Sequence, residues 1–140
     1  SETVAFKPAK FSREVPLIVK EVELSYYRIS NQDSCVLSVI GPTTIKAFAR
    51  LEFDPTMSAD QKFRISVTED GLEKQIFALR SKPSQIAEYK EISENIAGDA
   101  AQFFIEVPRG KHEYRFQIVD NGRSILLRFY LPRTDLSNNL

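Results

Sequence analysis

Phe103-Phe104-Ile105-Glu106-Val107-Pro108-Arg109-Gly110-Lys111-His112-Glu113-Tyr114-Arg115-Phe116-Gln117-Ile118 reads as two strands with a break between them. Phe103, Ile105 and Val107 fall on one face up to Pro108, and Tyr114, Phe116 and Ile118 resume the alternation beyond Gly110. A period of two marks a strand with one buried face. The period continues on both sides of this stretch. Downstream, Asn121-Gly122 predicts a hairpin turn, and Ile125, Leu127, Phe129 and Leu131 alternate until Pro132. Glycine accepts the positive φ that such turns need.

Upstream, Phe63, Ile65 and Val67 lead to Asp70-Gly71, and Lys74 to Arg80 returns as the partner strand of a hairpin. Ile45, Ala47, Ala49, Leu51 and Phe53 oppose Lys46, Phe48, Arg50 and Glu52, and Asp54-Pro55 ends that strand. Cys35 to Ile40 is a shorter strand, stopped by Gly41-Pro42. Val22, Leu24 and Tyr26 are assigned to the inward face, which leaves Tyr27 as an exposed aromatic. Residues 84–98 have two readings. Ile86, Tyr89, Ile92 and Ile96 recur at helical spacing, while Ala87 to Ile92 competes as a strand. Residues 1–16, with Pro8 and Pro16, are expected to form an extended arm anchored by Phe6 and Phe11. The domain proper is assigned to residues 17–132, and residues 133–140 to a flexible tail.

These runs amount to eight or nine short strands with turn signals every 8 to 12 residues. No strand–helix–strand alternation interrupts them, so the prediction is an all-β fold, an antiparallel sandwich of two sheets. Its core is expected to contain Leu51, Phe53, Ile65, Val67, Ile105, Val107, Phe116, Ile118, Leu127 and Phe129.

The spacing Pro108-x-Gly110-x-x-x-Tyr114 resembles the corner between strands E and F of immunoglobulin-like and fibronectin type III domains. The resemblance implies a single immunoglobulin-like sandwich. It also implies a buried Tyr114 whose hydroxyl bonds to the backbone near Arg109 to Lys111. Gly110 through Asp120-Asn121-Gly122 is also similar to the hairpin of glycogen-binding modules. The chain departs from both patterns. It has one Cys and no Trp, and Arg123-Ser124 follow the turn where such modules stack sugars on Trp. By analogy of fold, the setting is secreted or periplasmic. A chain starting at Ser1 reads as a processed product or a domain of a longer protein.

Composition narrows the function. The chain has 140 residues, 42% hydrophobic and 27% charged, as expected of one globular domain. Nineteen basic and nineteen acidic residues leave no net charge, which argues against a nucleic-acid binder. No apolar run is long enough for a membrane-spanning helix. A single Cys permits no internal disulfide, and a single His permits no His-paired metal site. The five glycines are isolated, so there is no phosphate loop. Cys35 reads as a small buried hydrophobe, and His112 as an exposed residue at a strand start. No catalytic residue, metal or cofactor is assigned.

The expectation is therefore a non-catalytic binding module that serves protein–protein interaction, self-association or assembly. A carbohydrate-binding module of a larger protein is the alternative, and a hydrolase ranks last. If runs 61–69, 112–119 and 124–131 lay side by side, their outward face would join Arg64, Arg115, Arg128 and Tyr130, with Phe77 and Leu79 at the edge. Arg and Tyr are over-represented in protein interfaces, so this face is the predicted binding surface.

Overall fold

The computed structural model describes residues 2–140. It is a β-sandwich. Its strands are β1 (Thr3–Ala5), β2 (Lys10–Phe11), β3 (Glu14–Val19), β4 (Val22–Ile29), β5 (Cys35–Phe53), β6 (Gln61–Glu69), β7 (Leu72–Ser81), β8 (Ala87–Tyr89), β9 (Ile96–Ala97), β10 (Ala101–Ile118) and β11 (Ile125–Pro132). A 3-10 helix, Arg133–Asn139, follows. The count exceeds the expected eight or nine because the arm and the segment before β10 contribute short strands.

Two strands are far longer than the sequence suggested. Gly41-Pro42 does not end β5, and Pro108 does not end β10; the strands run antiparallel to each other through both breaks. The register shifts between Val107 and Gly110, which is a bulge within one strand and not a corner between two. Gly41 faces this bulge. A Cβ there would lie 1.9 Å from the Pro108 carbonyl oxygen, so the close backbone approach requires glycine.

The bent pair serves both layers. In the first, β7, β6, the second half of β10 and the first half of β5 lie in order, with β2 beside β5. In the second, the first half of β10, the second half of β5, β11, β4, β3 and β8 lie in order, with β1 beside β11. The inward faces meet in one apolar core, where Phe116 packs on Phe129 at 4.9 Å and Phe77 on Phe103 at 4.4 Å. All ten expected core residues face it, nine buried and Ile118 partly so.

One feature decides between the two readings of residues 84–98 and overturns the assignment of Tyr26 and Tyr27: the second layer is covered on its outer face as well. Residues 82–100 fold over it as β8 and β9, not as a helix. Ala87 and Ala97 are buried there, while Ile86, Ile92 and Ile96 of the supposed apolar stripe are exposed. Beneath this cover Tyr26 packs with Val15, Leu17 and Leu126 in a second small core. Tyr27 faces the main core and is buried, not exposed. Both faces of β4 are thus occupied, so its alternation could not reveal which was inward.

Buried charge holds the cover down. The Glu52 side chain is 1% exposed and accepts from Arg28 Nε (2.6 Å) and Nη2 (2.9 Å), Tyr89 Oη (2.6 Å) and Ser124 Oγ (2.5 Å). Burial pushes its carboxyl up, but these donors outweigh burial and hold it below the usual carboxylate range. Arg50, also buried, donates to Tyr26 Oη and to the Gly98 carbonyl, both at 2.9 Å.

Phe6 and Phe11 pack on the core, Phe11 against Tyr27 at 4.9 Å. At the other end, Asn139 bonds both the N–H (2.6 Å) and the carbonyl (3.2 Å) of Ile40, beside the bend of β5.

Candidate functional site

The cover formed by residues 82–100 leaves part of the second layer's outer face open. Because Ile45, Ala47 and Phe103, Ile105 point inward, Lys46, Phe48 and Phe104, Glu106 must point outward. Pairing places them in rows. Phe104, Lys46 and Tyr130 are directly opposite one another on β10, β5 and β11, and Gln102, Phe48 and Arg128 form the next row. Strands ~4.8 Å apart put Phe104 and Tyr130 about 10 Å apart, with Lys46 between.

The result is a platform of three aromatic rings and two cations on the outer face of the sheet. Phe48 and Tyr130 meet edge to face at 5.7 Å. The Lys46 ammonium sits over both rings, 5.4 Å from Phe48 and 5.8 Å from Tyr130. Arg128 lies 5.1 Å over Tyr130, donates from Nε to its hydroxyl (2.7 Å), and is tied down through Nη1 to the Ser25 carbonyl (2.9 Å). Phe104, on the edge strand of this layer, is 50% exposed. Glu106 closes the platform and accepts from Thr44 Oγ1 at 3.0 Å.

The predicted binding face is divided by the topology. The loop after β10 is not a hairpin: β11 pairs with β5 and β4 in the second layer, never with β10. Arg128 and Tyr130 therefore belong to the platform, whereas Arg64 and Arg115 lie on the outer face of the first layer. Phe77 and Leu79 are a correction. They stand opposite Ile65 and Phe63 and pack against the core, while Ile76 and Ala78 take the outward positions of β7. Arg64 borders a separate groove of about 870 Å³ with Lys62, Arg80, Arg123 and Asp120. Its three arginines are already engaged: Arg64 with Asp120 (2.7 Å), Arg80 with Asp60 (3.5 Å), and Arg123 with the Gln61 side-chain oxygen (2.9 Å).

No family model matches the chain, and no curated protein is similar to it in sequence. Solved structures do resemble it. The catalytic domain of Agl-KA is 9% identical with a TM-score of 0.58, over 94% of this chain and 27% of that one. This likeness is one of fold, and the protein spans about a quarter of that chain's length. A CBM36-1 domain of a multidomain xylanase from the hindgut metagenome of Trinervitermes trinervoides is 12% identical, with a TM-score of 0.48, over 92% of this chain and 93% of that one. A CBM36 carbohydrate-binding module in complex with calcium and xylotriose is 10% identical, with a TM-score of 0.49, over 91% and 96%.

The residues with intrinsic reactivity are occupied elsewhere. Cys35 is buried, and burial pushes its thiol up to about 12, which leaves it protonated and inert. His112 lies on the first layer with both ring nitrogens engaged, Nδ1 to Asp70 (2.7 Å) and Nε2 to the Arg109 carbonyl (3.0 Å). Two acceptors suit a doubly protonated ring, so Asp70 first and Arg109 second raise its pKa. Tyr114 is fully buried, as its spacing predicted, but its hydroxyl donates to Glu69 Oε1 (2.6 Å) and not to the upstream backbone. Lys74 reaches the same oxygen at 3.0 Å. These contacts clamp the β6–β7 turn, where Asp70 and Gly71 both have positive φ, onto β10.

The sequence contained one signal for the platform. Phe48 and Phe104 occupy the polar phase of otherwise regular alternations, outside the main core; Phe104 is exposed, and Phe48 also packs against the second small core.

Proposed function

We propose that the protein is a non-catalytic carbohydrate-binding module whose ligand lies across the platform of Phe104, Phe48 and Tyr130. The observation that carries this reading is an aromatic surface on the outer side of a sheet whose inner side already supplies the core. A pyranose ring has one face of C–H bonds, slightly positive, and a rim of hydroxyls. The C–H face suits the negative face of an aromatic ring. The hydroxyl rim needs donors and acceptors beside the rings, and Gln102, Glu106, Thr44 and Arg128 stand there. An open sheet face favours an extended chain lying across several residues over a small molecule enclosed in a cleft.

The protein-interaction reading loses its main support, since Arg64 and Arg115 share no surface with Arg128 and Tyr130. The deciding experiment screens the chain against a panel of soluble and insoluble polysaccharides, with Phe104→Ala and Tyr130→Ala in parallel. Binding weakened about tenfold or more by each substitution, at unchanged melting temperature, is expected of central contact residues. A panel silent throughout, or a glycan held equally by both variants, overturns the assignment.

A further inference from the structure

We infer that the platform is built for an acidic polysaccharide, one bearing uronic-acid carboxylates, with Lys46 and Arg128 as the counter-charges. This rests on the glycan reading above and adds the charge of the ligand.

The argument is one of unmatched charge. Five cations of the sheets and loops are paired with carboxylates: Arg28 with Glu52, Arg64 with Asp120, Lys74 with Glu69, Arg80 with Asp60 and Lys90 with Glu23. Lys46 and Arg128, at the centre of the platform, have no carboxylate within ion-pair distance among the described residues. Lys46 rests instead on the faces of Phe48 and Tyr130. Arg128 bonds only neutral oxygens, of Tyr130 and Ser25. These contacts fix where the cations stand without neutralising them. The remaining carboxylate of the platform, Glu106, sits at its margin beside Thr44.

The placement of Lys46 also discriminates between ligands. A neutral sugar that stacks on Phe48 or Tyr130 must push the ammonium off the ring faces and gains no charge pair in return. A uronic acid gives the displaced ammonium a carboxylate, while its neighbouring sugar stacks on the free face of Phe104. Arg128, with its fork pre-oriented by two hydrogen bonds, offers a second carboxylate contact about one strand spacing away.

The test uses matched pairs of polymers: polygalacturonate with its carboxyl-reduced counterpart, and glucuronoxylan with its reduced form. Binding is read by isothermal titration at fixed ionic strength. Lys46→Met is the probe, Lys46→Gln replaces it if the methionine variant does not fold, and Arg115→Gln controls for charge lost elsewhere. The expected result is at least tenfold tighter binding to the acidic member of a pair. Lys46→Met should abolish the preference and Arg115→Gln should preserve it. Equal binding to both members sinks the acidic inference and leaves the glycan reading standing. An acidic preference that survives Lys46→Met, or vanishes with Arg115→Gln, places the binding elsewhere and overturns the inference. No binding to either member of either pair, together with a silent neutral panel, removes the glycan reading itself.

Discussion

Replacing Glu52 with glutamine removes one charge at the point where the cover formed by residues 82–100 is fastened to the sheet. The substitution keeps the size and one acceptor but breaks the two-pronged pair with Arg28 and loosens the grip on Tyr89 and Ser124. Breaking a buried pair from one side costs about 3–5 kcal/mol, because a charge is left without its partner. The Arg28 side chain is 23% exposed, so water takes up part of that charge and the loss belongs at the low end, about 3 kcal/mol. An unfolding entropy of about 2.1 cal/mol/K per residue over this chain converts that to a melting point roughly 10 °C lower. The pH dependence has a definite sign. Glu52 is held below its ordinary value near 4.5 in the folded state. Its contribution is therefore complete above that value and is lost as pH falls through the lower folded one. Urea denaturation at pH 7 should show the full gap between wild type and Glu52→Gln, and the gap should narrow as pH drops below about 4.5. Arg28→Met with Glu52→Met should lose less than Glu52→Gln alone, since neither charge is then stranded. A Glu52→Gln variant within about 0.5 kcal/mol of wild type at pH 7 would refute this account of how the cover is held.

Two further outcomes concern the clamp on the first layer. Tyr114→Phe removes the donor to Glu69 inside the core and should cost about 1–2 kcal/mol in a denaturant titration, with the fold retained; no measurable loss would show that the hydroxyl is not used. His112→Gln should reveal a stability term with the opposite pH sense to that of Glu52. The folded pKa of His112 is raised above its ordinary 6.5, so its contribution is complete below that value and fades as pH rises through the folded one. Melting curves of wild type and variant should differ more at pH 6 than at pH 9, and a gap that widens toward pH 9 would contradict the imidazolium assignment.

Alternation alone, as in Ile45 to Phe53, Phe63 to Val67, Phe103 to Val107 and Ile125 to Leu131, determined that this is an antiparallel β protein and which residues form its core. A strand with one apolar and one polar face has a single way to bury itself, so the local pattern carries the answer. The same logic placed Tyr114 in the interior and Cys35 out of reach of chemistry. Tertiary structure decided everything that depends on which strand lies beside which. Asn121-Gly122 has the composition of a hairpin turn, yet it carries the chain across to the other layer, because β5 already occupies the edge of β10 that β11 would need. That one crossing separates Arg115 from Arg128 and turns a predicted interface into two unrelated surfaces. Gly41-Pro42 and Pro108 look like strand ends, but Gly41 lets two backbones touch, and the strands bend instead of stopping. Residues 82–100 show no clear period because they cover a face that is already half polar, and only their docking through Glu52 shows what they bury. The platform is what that cover leaves open. Phe48 and Phe104 were visible as aromatics in the wrong phase, but they are 56 residues apart in the chain. Pairing of β5 with β10, and of β5 with β11, is what sets them on one surface with Lys46 between Phe104 and Tyr130, because register is fixed by burial of the opposite face and not by any residue of the platform itself.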